Sequence, residues 1–383
     1  MENEHSPELA DILISHKDSL LYGNRLCQVQ TKAVDDIIKC RTSALGDHWD
    51  VCDSCGYTRV SYNSCRNRNC PKCQQSKQMV WVDKVTASII PVKHFHLVFT
   101  FPDVLNPLFY INQKDCYAIL FKAAAEALKK TMSHYLKVES GAIAVLHTNG
   151  QTLNYHPHIH MIVPAGGIDA DGMQWIHSNT KFLVPIKALS AVFRGILCQL
   201  IGKQWQNNKL TIPDNFNPDF NVVKKMLYKT SWNVFAEKPI KGPEQIINYL
   251  GRYINRVAIS NNRIKSYKDG KVTFSYTDNK TNTIGRLMTL KDTDFINRFL
   301  QHILPHGFYK IRYYGIYSQI NSDKRSQCFE LLDQSPFFPS FEAIPLSEVI
   351  RIVTGLDMSF CPLCKKGRMI RKPDACACCD DVT

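Results

Sequence analysis

Apolar residues fall at helical spacing near the start of the chain. Leu9, Ile12, Leu13, Leu20 and Leu21 share a face across residues 7–22, and Val34, Ile37 and Ile38 repeat the pattern across 31–40, so two short helices are expected. The period then shortens to two. Across 93–101, Phe95, Leu97, Phe99 and Phe101 point one way and His94, His96, Val98 and Thr100 the other, which predicts a strand ended by Pro102. Residues 105–136 read as a helix, 142–147 and 156–163 as strands joined by a turn-like stretch, 188–205 as a helix and 232–236 as extended chain. Ile246, Ile247, Leu250, Ile254 and Val257 form an apolar stripe that predicts a helix over 243–256, with Gly251 inside it at a cost of ~1 kcal/mol relative to alanine. A strand at 272–276 follows the Asp269-Gly270 turn, and a helix is expected over 295–304. Strand pairs separated by helices favour an α+β fold with an antiparallel-rich sheet over a doubly wound one.

Composition narrows the class. The 383 residues carry 47 Lys and Arg against 34 Asp and Glu, a formal net charge of +13, and 44% are hydrophobic, which fits a folded protein and excludes wholesale disorder. No run approaches the ~18 apolar residues of a membrane span; the longest candidate, 188–202, is broken by Arg194. The first residues are acidic and amphipathic and lack the basic start and apolar core of a signal peptide, so a cytoplasmic, nucleoid-associated location is expected. In that compartment clustered cysteines hold metal more often than disulfides.

Of fifteen cysteines, five lie in 52–73 and five in 361–379. Cys27, Cys116, Cys198 and Cys328 stand in apolar or amphipathic segments and read as ordinary buried thiols. Cys52/Cys55 and Cys70/Cys73 are two C-x2-C pairs with fourteen residues between them. Two such knuckles face to face give the S4 tetrahedron that structural Zn2+ prefers, and Gly56 suits the turn. Cys65 could replace one of these ligands, or join Cys40 and His48 in a second site. Arg66 and Arg68, in the loop between the pairs, could meet DNA phosphates. A further zinc knuckle is expected from Cys361, Cys364, Cys376 and Cys379.

Two other constellations carry chemistry. His158 and His160 project from one face of a strand and could chelate a divalent ion; His156 shares their parity, but Pro157 would bend it away. Gln151 is the expected third ligand, with His147 and Asp169 as alternatives. Tyr249 and Tyr253 stand four apart on the predicted helix, flanked by Arg252 and Arg256 as candidate phosphate contacts. A tyrosine oxygen can attack a phosphodiester when a metal polarises the phosphate, leaving a 5′-phosphotyrosine and a free 3′-hydroxyl.

These motifs occur together in NSCRNRNCPKCQ, FHLVFTFP, LHTNGQTLNYHPHIHMIVPAGG, YLGRYINRVAISNNRI, FLQHILPHGFYKIRYYG and CPLC. In that order they resemble the two-tyrosine HUH transposases of rolling-circle insertion sequences, the insertion-sequence-ninety-one type. The resemblance implies an HUH core with a central antiparallel sheet and flanking helices. It makes His158-Ile159-His160 the metal motif, binding Mg2+ or Mn2+, and Tyr249 and Tyr253 the nucleophiles. It also implies single-stranded DNA at element ends, and target DNA, as substrates. Asn69 stands where relatives commonly have histidine, and Asn149 where they have an aromatic residue. The expected organisation is N-terminal helices (1–47), a zinc module (48–80), a catalytic domain (88–285) with the tyrosine helix at 243–257, a helical basic extension (286–354) and a cysteine-rich tail (355–383). A plasmid or phage replication initiator, a relaxase, and a non-catalytic zinc-containing DNA-binding protein are the rival readings. The charge and 40 aromatic residues suit gripping a phosphate backbone and stacking bases.

Overall fold

The computed structural model describes residues 6–23, 26–179, 181–237, 240, 257–278, 281, 283–336, 339–341 and 343–372, without side-chain detail at 74–80 and 346. The predicted tyrosine helix, with Tyr249, Tyr253, Arg252 and Arg256, lies outside the described residues, as do Cys376 and Cys379. The chain divides into two compact units, one drawn from Met1–Trp81, Asn255–Ile296 and Ser340–Thr383, the other from Val82–Ile254 and Asn297–Pro339. Neither is a continuous segment: stretches expected to follow the catalytic domain, and the hairpin region expected inside it, group with the N-terminal module.

The second unit is built on a five-stranded antiparallel sheet. Its strands are β1 (His94–Thr100), β2 (Gly141–Asn149), β3 (Tyr155–Pro164), β4 (Val234–Ala236) and β5 (Ile311–Gly315), in the order β5-β2-β3-β1-β4. Alternation decides which face is oily. Phe95, Leu97 and Phe99 of β1 and Phe101 just past its end join Ala142, Ala144 and Leu146 of β2 and Ile159, Met161 and Val163 of β3 in one buried cluster. Two helices cover it: α1 (Gln113–Leu136) contributes Tyr117, Leu120, Phe121, Ala124 and Leu128, and α2 (Ile186–Gln206) contributes Leu189, Phe193 and Leu197. The Phe99 and Phe193 rings meet edge to face at 5.2 Å between centroids, a favoured aromatic geometry. Each large side chain buried there contributes roughly 1.5–3 kcal/mol, so this face anchors the sheet and leaves the other for chemistry.

The helix expected over 105–136 is interrupted. A short helix, Asn106–Ile111, precedes α1, and Asn112 sits between them with its side-chain amide donating to the carbonyls of Leu108 and Thr211. Asparagine competes for local backbone partners in this way, and the chain turns there. The edge strand β5 and the helix Phe220–Lys229 were not anticipated.

In the first unit, Asp47–Cys52 pairs antiparallel with both Thr58–Tyr62 and the distant Met369–Arg371. A separate three-stranded sheet, Ile264–Lys268, Lys271–Asp278 and Thr283–Lys291, opens on the Asp269-Gly270 turn, where both residues have positive φ (50° and 65°). That is the conformation a two-residue hairpin requires.

Candidate metal centres

On the face of the sheet opposite the apolar cluster, strand register brings three histidines together. His158 on β3 stands directly opposite His147 on β2, and His160 stands two residues on. Each offers one ring nitrogen, and these atoms lie within 4.8 Å of one another. The third imidazole is therefore His147, the position opposite His158 that was expected of Gln151. Gln151 falls in the turn beyond β2, which ends at Asn149. Asp169 is occupied elsewhere: its carboxylate accepts the backbone N–H groups of Met173 and Gln174 and closes a turn. His156 turns aside to Asp103, at 3.1 Å.

Hydrogen bonds from behind set which nitrogen of His158 and of His160 can act. His158 Nδ1 donates to the carbonyl of His156 at 2.7 Å, which leaves Nε2 as the ligating atom. His160 Nδ1 lies 2.7 Å from Nε2 of His96, and His96 Nδ1 lies 3.2 Å from a carboxylate oxygen of Glu237. With Glu237 ionised, His96 donates to it from Nδ1 and accepts from His160 at Nε2, so His160 presents Nε2. A carboxylate–imidazole chain of this kind fixes tautomer and ring orientation behind a metal ligand. His96 is 1% exposed, and its ring lies nearly coplanar with that of His160, 6° between planes and 5.0 Å between centroids, as an edge-to-edge hydrogen bond requires. His96 and Glu237 were missed as site residues. The period-two pattern had already placed His96 on the histidine face, but its neighbour was unknown without the register. Two other histidines are structural: burial pushes the pKa values of His94 and His302 down to about 4, which keeps both rings neutral, and each is hydrogen-bonded, to Tyr317 and Thr148 respectively among others.

The cysteines sort otherwise than their order suggests. Cys70 and Cys73 group with Cys40 and Cys65, while Cys52 and Cys55 group with Cys361 and Cys364, each quartet having its sulphurs within 4.8 Å of one another. This corrects two expected ligand sets, that of Cys52, Cys55, Cys70 and Cys73 and that of Cys361, Cys364, Cys376 and Cys379. The reason is the sheet: Met369–Arg371 pairs with Asp47–Cys52 and carries its preceding knuckle to the first one, and the Asn67–Cys73 turn folds back onto Cys40. His48 lies on the strand Asp47–Cys52 and belongs to neither quartet; of the four thiols expected to be buried, Cys116, Cys198 and Cys328 are, while Cys27 is exposed at the start of the helix Gln28–Lys39. Arg66 and Arg68 are exposed in the loop before Cys70.

The electrostatics of both quartets fit a cation. A hydrogen bond from Cys70, with others from backbone and neighbouring thiols, draws the Cys65 thiol down to about 5, while burial pushes Cys40 up to about 11. Backbone N–H groups of Gly367 and Lys366 bring Cys364 down to about 6. One sulphur in each group ionises readily; holding four as thiolates needs a divalent charge among them, and four sulphurs suit Zn2+.

Comparison with known proteins identifies the family. Residues 12–101 match a family model described as "Transposase zinc-binding domain", and 141–325 match one described as "Putative transposase". The chain is 38% identical over 375 residues to the "Putative transposase y4qJ" of Sinorhizobium fredii, covering 95% of this chain and 94% of that relative. It is 30% identical over 304 residues to the "Transposase for insertion sequence element IS801" of Pseudomonas savastanoi pv. phaseolicola, covering 77% and 72%. No solved structure matches. A zinc-binding segment, a transposase segment and near full-length similarity to such relatives lead to one conclusion: the chain belongs to the IS91-type transposase family.

Proposed function

We propose that this transposase cuts and rejoins single-stranded DNA at the ends of its element through a 5′-phosphotyrosine intermediate, with a divalent ion at the histidine face, and moves by a rolling-circle route. The observation that carries the reading is the cluster of His147, His158 and His160, whose ring nitrogens lie within 4.8 Å of one another, with Nε2 of His158 and of His160 turned to act by the bonds at Nδ1. A bound cation there would polarise a phosphate oxygen and take up negative charge as phosphorus is attacked. Three imidazoles suit a transition ion better than the oxygen-seeking Mg2+, so Mn2+ should act at lower concentration.

The phenol oxygen of Tyr249 or Tyr253 forms the new P–O bond as its proton is lost. The bond from phosphorus to the 3′ oxygen breaks, and that oxygen leaves as a hydroxyl. The reverse attack by a 3′-hydroxyl restores the DNA and frees the tyrosine, and two nucleophiles allow two successive exchanges. Arg252 and Arg256 would bind the flanking phosphates. The relatives' names support transposition over replication initiation or conjugal relaxation, which would use the same chemistry.

The test is a single-stranded oligonucleotide bearing the element end, incubated with Mn2+ or Mg2+. Tyrosine-linked DNA should form, disappear in the Tyr249→Phe/Tyr253→Phe double variant, and fall by at least ~10²-fold in His158→Ala. Absence of the adduct with either metal, or its survival in the double tyrosine variant, overturns the reading.

A further inference from the structure

The matched zinc-binding segment, 12–101, contains six of the eight clustered cysteines; Cys361 and Cys364 lie outside both matched segments. Yet the knuckle they form repeats the geometry of Cys52 and Cys55. Gly56 N–H donates to the Cys52 carbonyl at 3.1 Å, and Lys365 N–H to the Cys361 carbonyl at 3.0 Å. Cys52 N–H bonds the carbonyl of Tyr57 and Cys361 N–H that of Gly367, at 2.8 and 2.9 Å. The residue after each second cysteine has positive φ, 69° at Gly56 and 56° at Lys365. Backbone N–H groups aim at sulphur in both: Ser54 and Cys55 at Cys52, Gly367 at Cys364, all at 3.4 Å. Such donors stabilise thiolates. The two knuckles face each other, with Cys52 3.7 Å from Cys364 and Cys55 3.7 Å from Cys361. A Cβ at Gly367 would come within 2.5 Å of the Cys52 sulphur, so the approach requires glycine there.

We propose that the chain holds two structural zinc ions: one on Cys40, Cys65, Cys70 and Cys73, and a second that fastens the late segment around 361–364 to the early one around 52–55. Both sets are closed S4 tetrahedra with no position for water or substrate, so both are structural. The four thiol protons of each set leave to solvent on loading, and each site carries a formal charge of about −2. Lys365, Lys366 and Arg368 stand beside the second site in sequence and offset that charge.

Metal content of the full-length protein, by elemental analysis, tests the assignment. Every form is purified in a His158→Ala/His160→Ala background, which removes the imidazole site as a third position for zinc, so the unaltered protein is the one unaltered at cysteine. Two zinc ions per chain are expected in the unaltered protein and in Cys376→Ser/Cys379→Ser. One is expected in Cys361→Ser/Cys364→Ser and in Cys40→Ser/Cys65→Ser. A single ion in the unaltered protein overturns the proposal. So does loss of one through Cys376→Ser/Cys379→Ser, or retention of two in either of the other double variants. Should those variants be insoluble, Cys361→His keeps a donor: it should retain two ions, and the visible spectrum of its Co2+-loaded form should shift as half the sites change from S4 to S3N. An unchanged spectrum refutes Cys361 as a ligand. None of these readouts depends on DNA cleavage.

Discussion

His160 reaches its place through two other side chains. It leans on His96, and His96 leans on Glu237, whose carboxylate is 42% exposed while the imidazole between them is 1% exposed. This chain sets the proton on Nδ1 of His160 and turns Nε2 towards His147 and His158. Outer partners of metal-bound imidazoles commonly govern affinity by about 10–100-fold. His96→Phe should therefore weaken Mn2+ binding by at least ~10-fold, measured by the loss of the free Mn2+ electron paramagnetic resonance signal on titration. Glu237→Gln, which keeps a hydrogen-bond acceptor, should weaken it less. A His96→Phe protein that binds Mn2+ unchanged would show that the ring only fills space. Sequence periodicity placed His158 and His160 side by side and put His96 on the same face of its own strand. It did not supply the neighbour. Which residue of β2 stands opposite His158 depends on a register shift in the hairpin, and that shift put His147 there.

The elements were most legible where one periodicity ran without interruption. β1 was readable because aromatic or aliphatic residues recur at every second position from Phe95 to Phe101, and α2 because its apolar stripe is long. β5 was not, since Ile311–Gly315 is half-buried throughout and has no oily face to betray it. The cysteine pairing was hidden for a different reason: partners such as Cys55 and Cys361 are 306 positions apart, and local spacing carries no information at that range. The packing of β1 on α2 has a simple energetic test. Phe99 is fully buried against Phe193, so Phe99→Ala should destabilise the protein by about 3–5 kcal/mol, read as a lower denaturation midpoint in urea. Loss of less than about 1 kcal/mol would mean that the helix layer does not depend on this contact.

At the scale of the whole molecule, an excess of 13 positive charges and a family that moves DNA make a common prediction. Binding of a labelled single-stranded oligonucleotide, followed by fluorescence anisotropy, should weaken by roughly 10³-fold between about 50 and about 200 mM salt if ~6–8 phosphates are engaged. A flat response would mean that the charge is not used for the backbone. Among the described residues no helix is long and apolar enough to cross a membrane.

The pairing of Met369–Arg371 with Asp47–Cys52 also bears on how the polypeptide matures. Joining points 312 positions apart costs about 5 kcal/mol in lost chain freedom by the logarithmic rule for loops, more than a three-residue ladder returns. The strand synthesised first must therefore wait, one edge bare, until Met369–Arg371 has left the ribosome. Its closure comes after the synthesis of all that lies between, and cells short of zinc would accumulate chains arrested at that point.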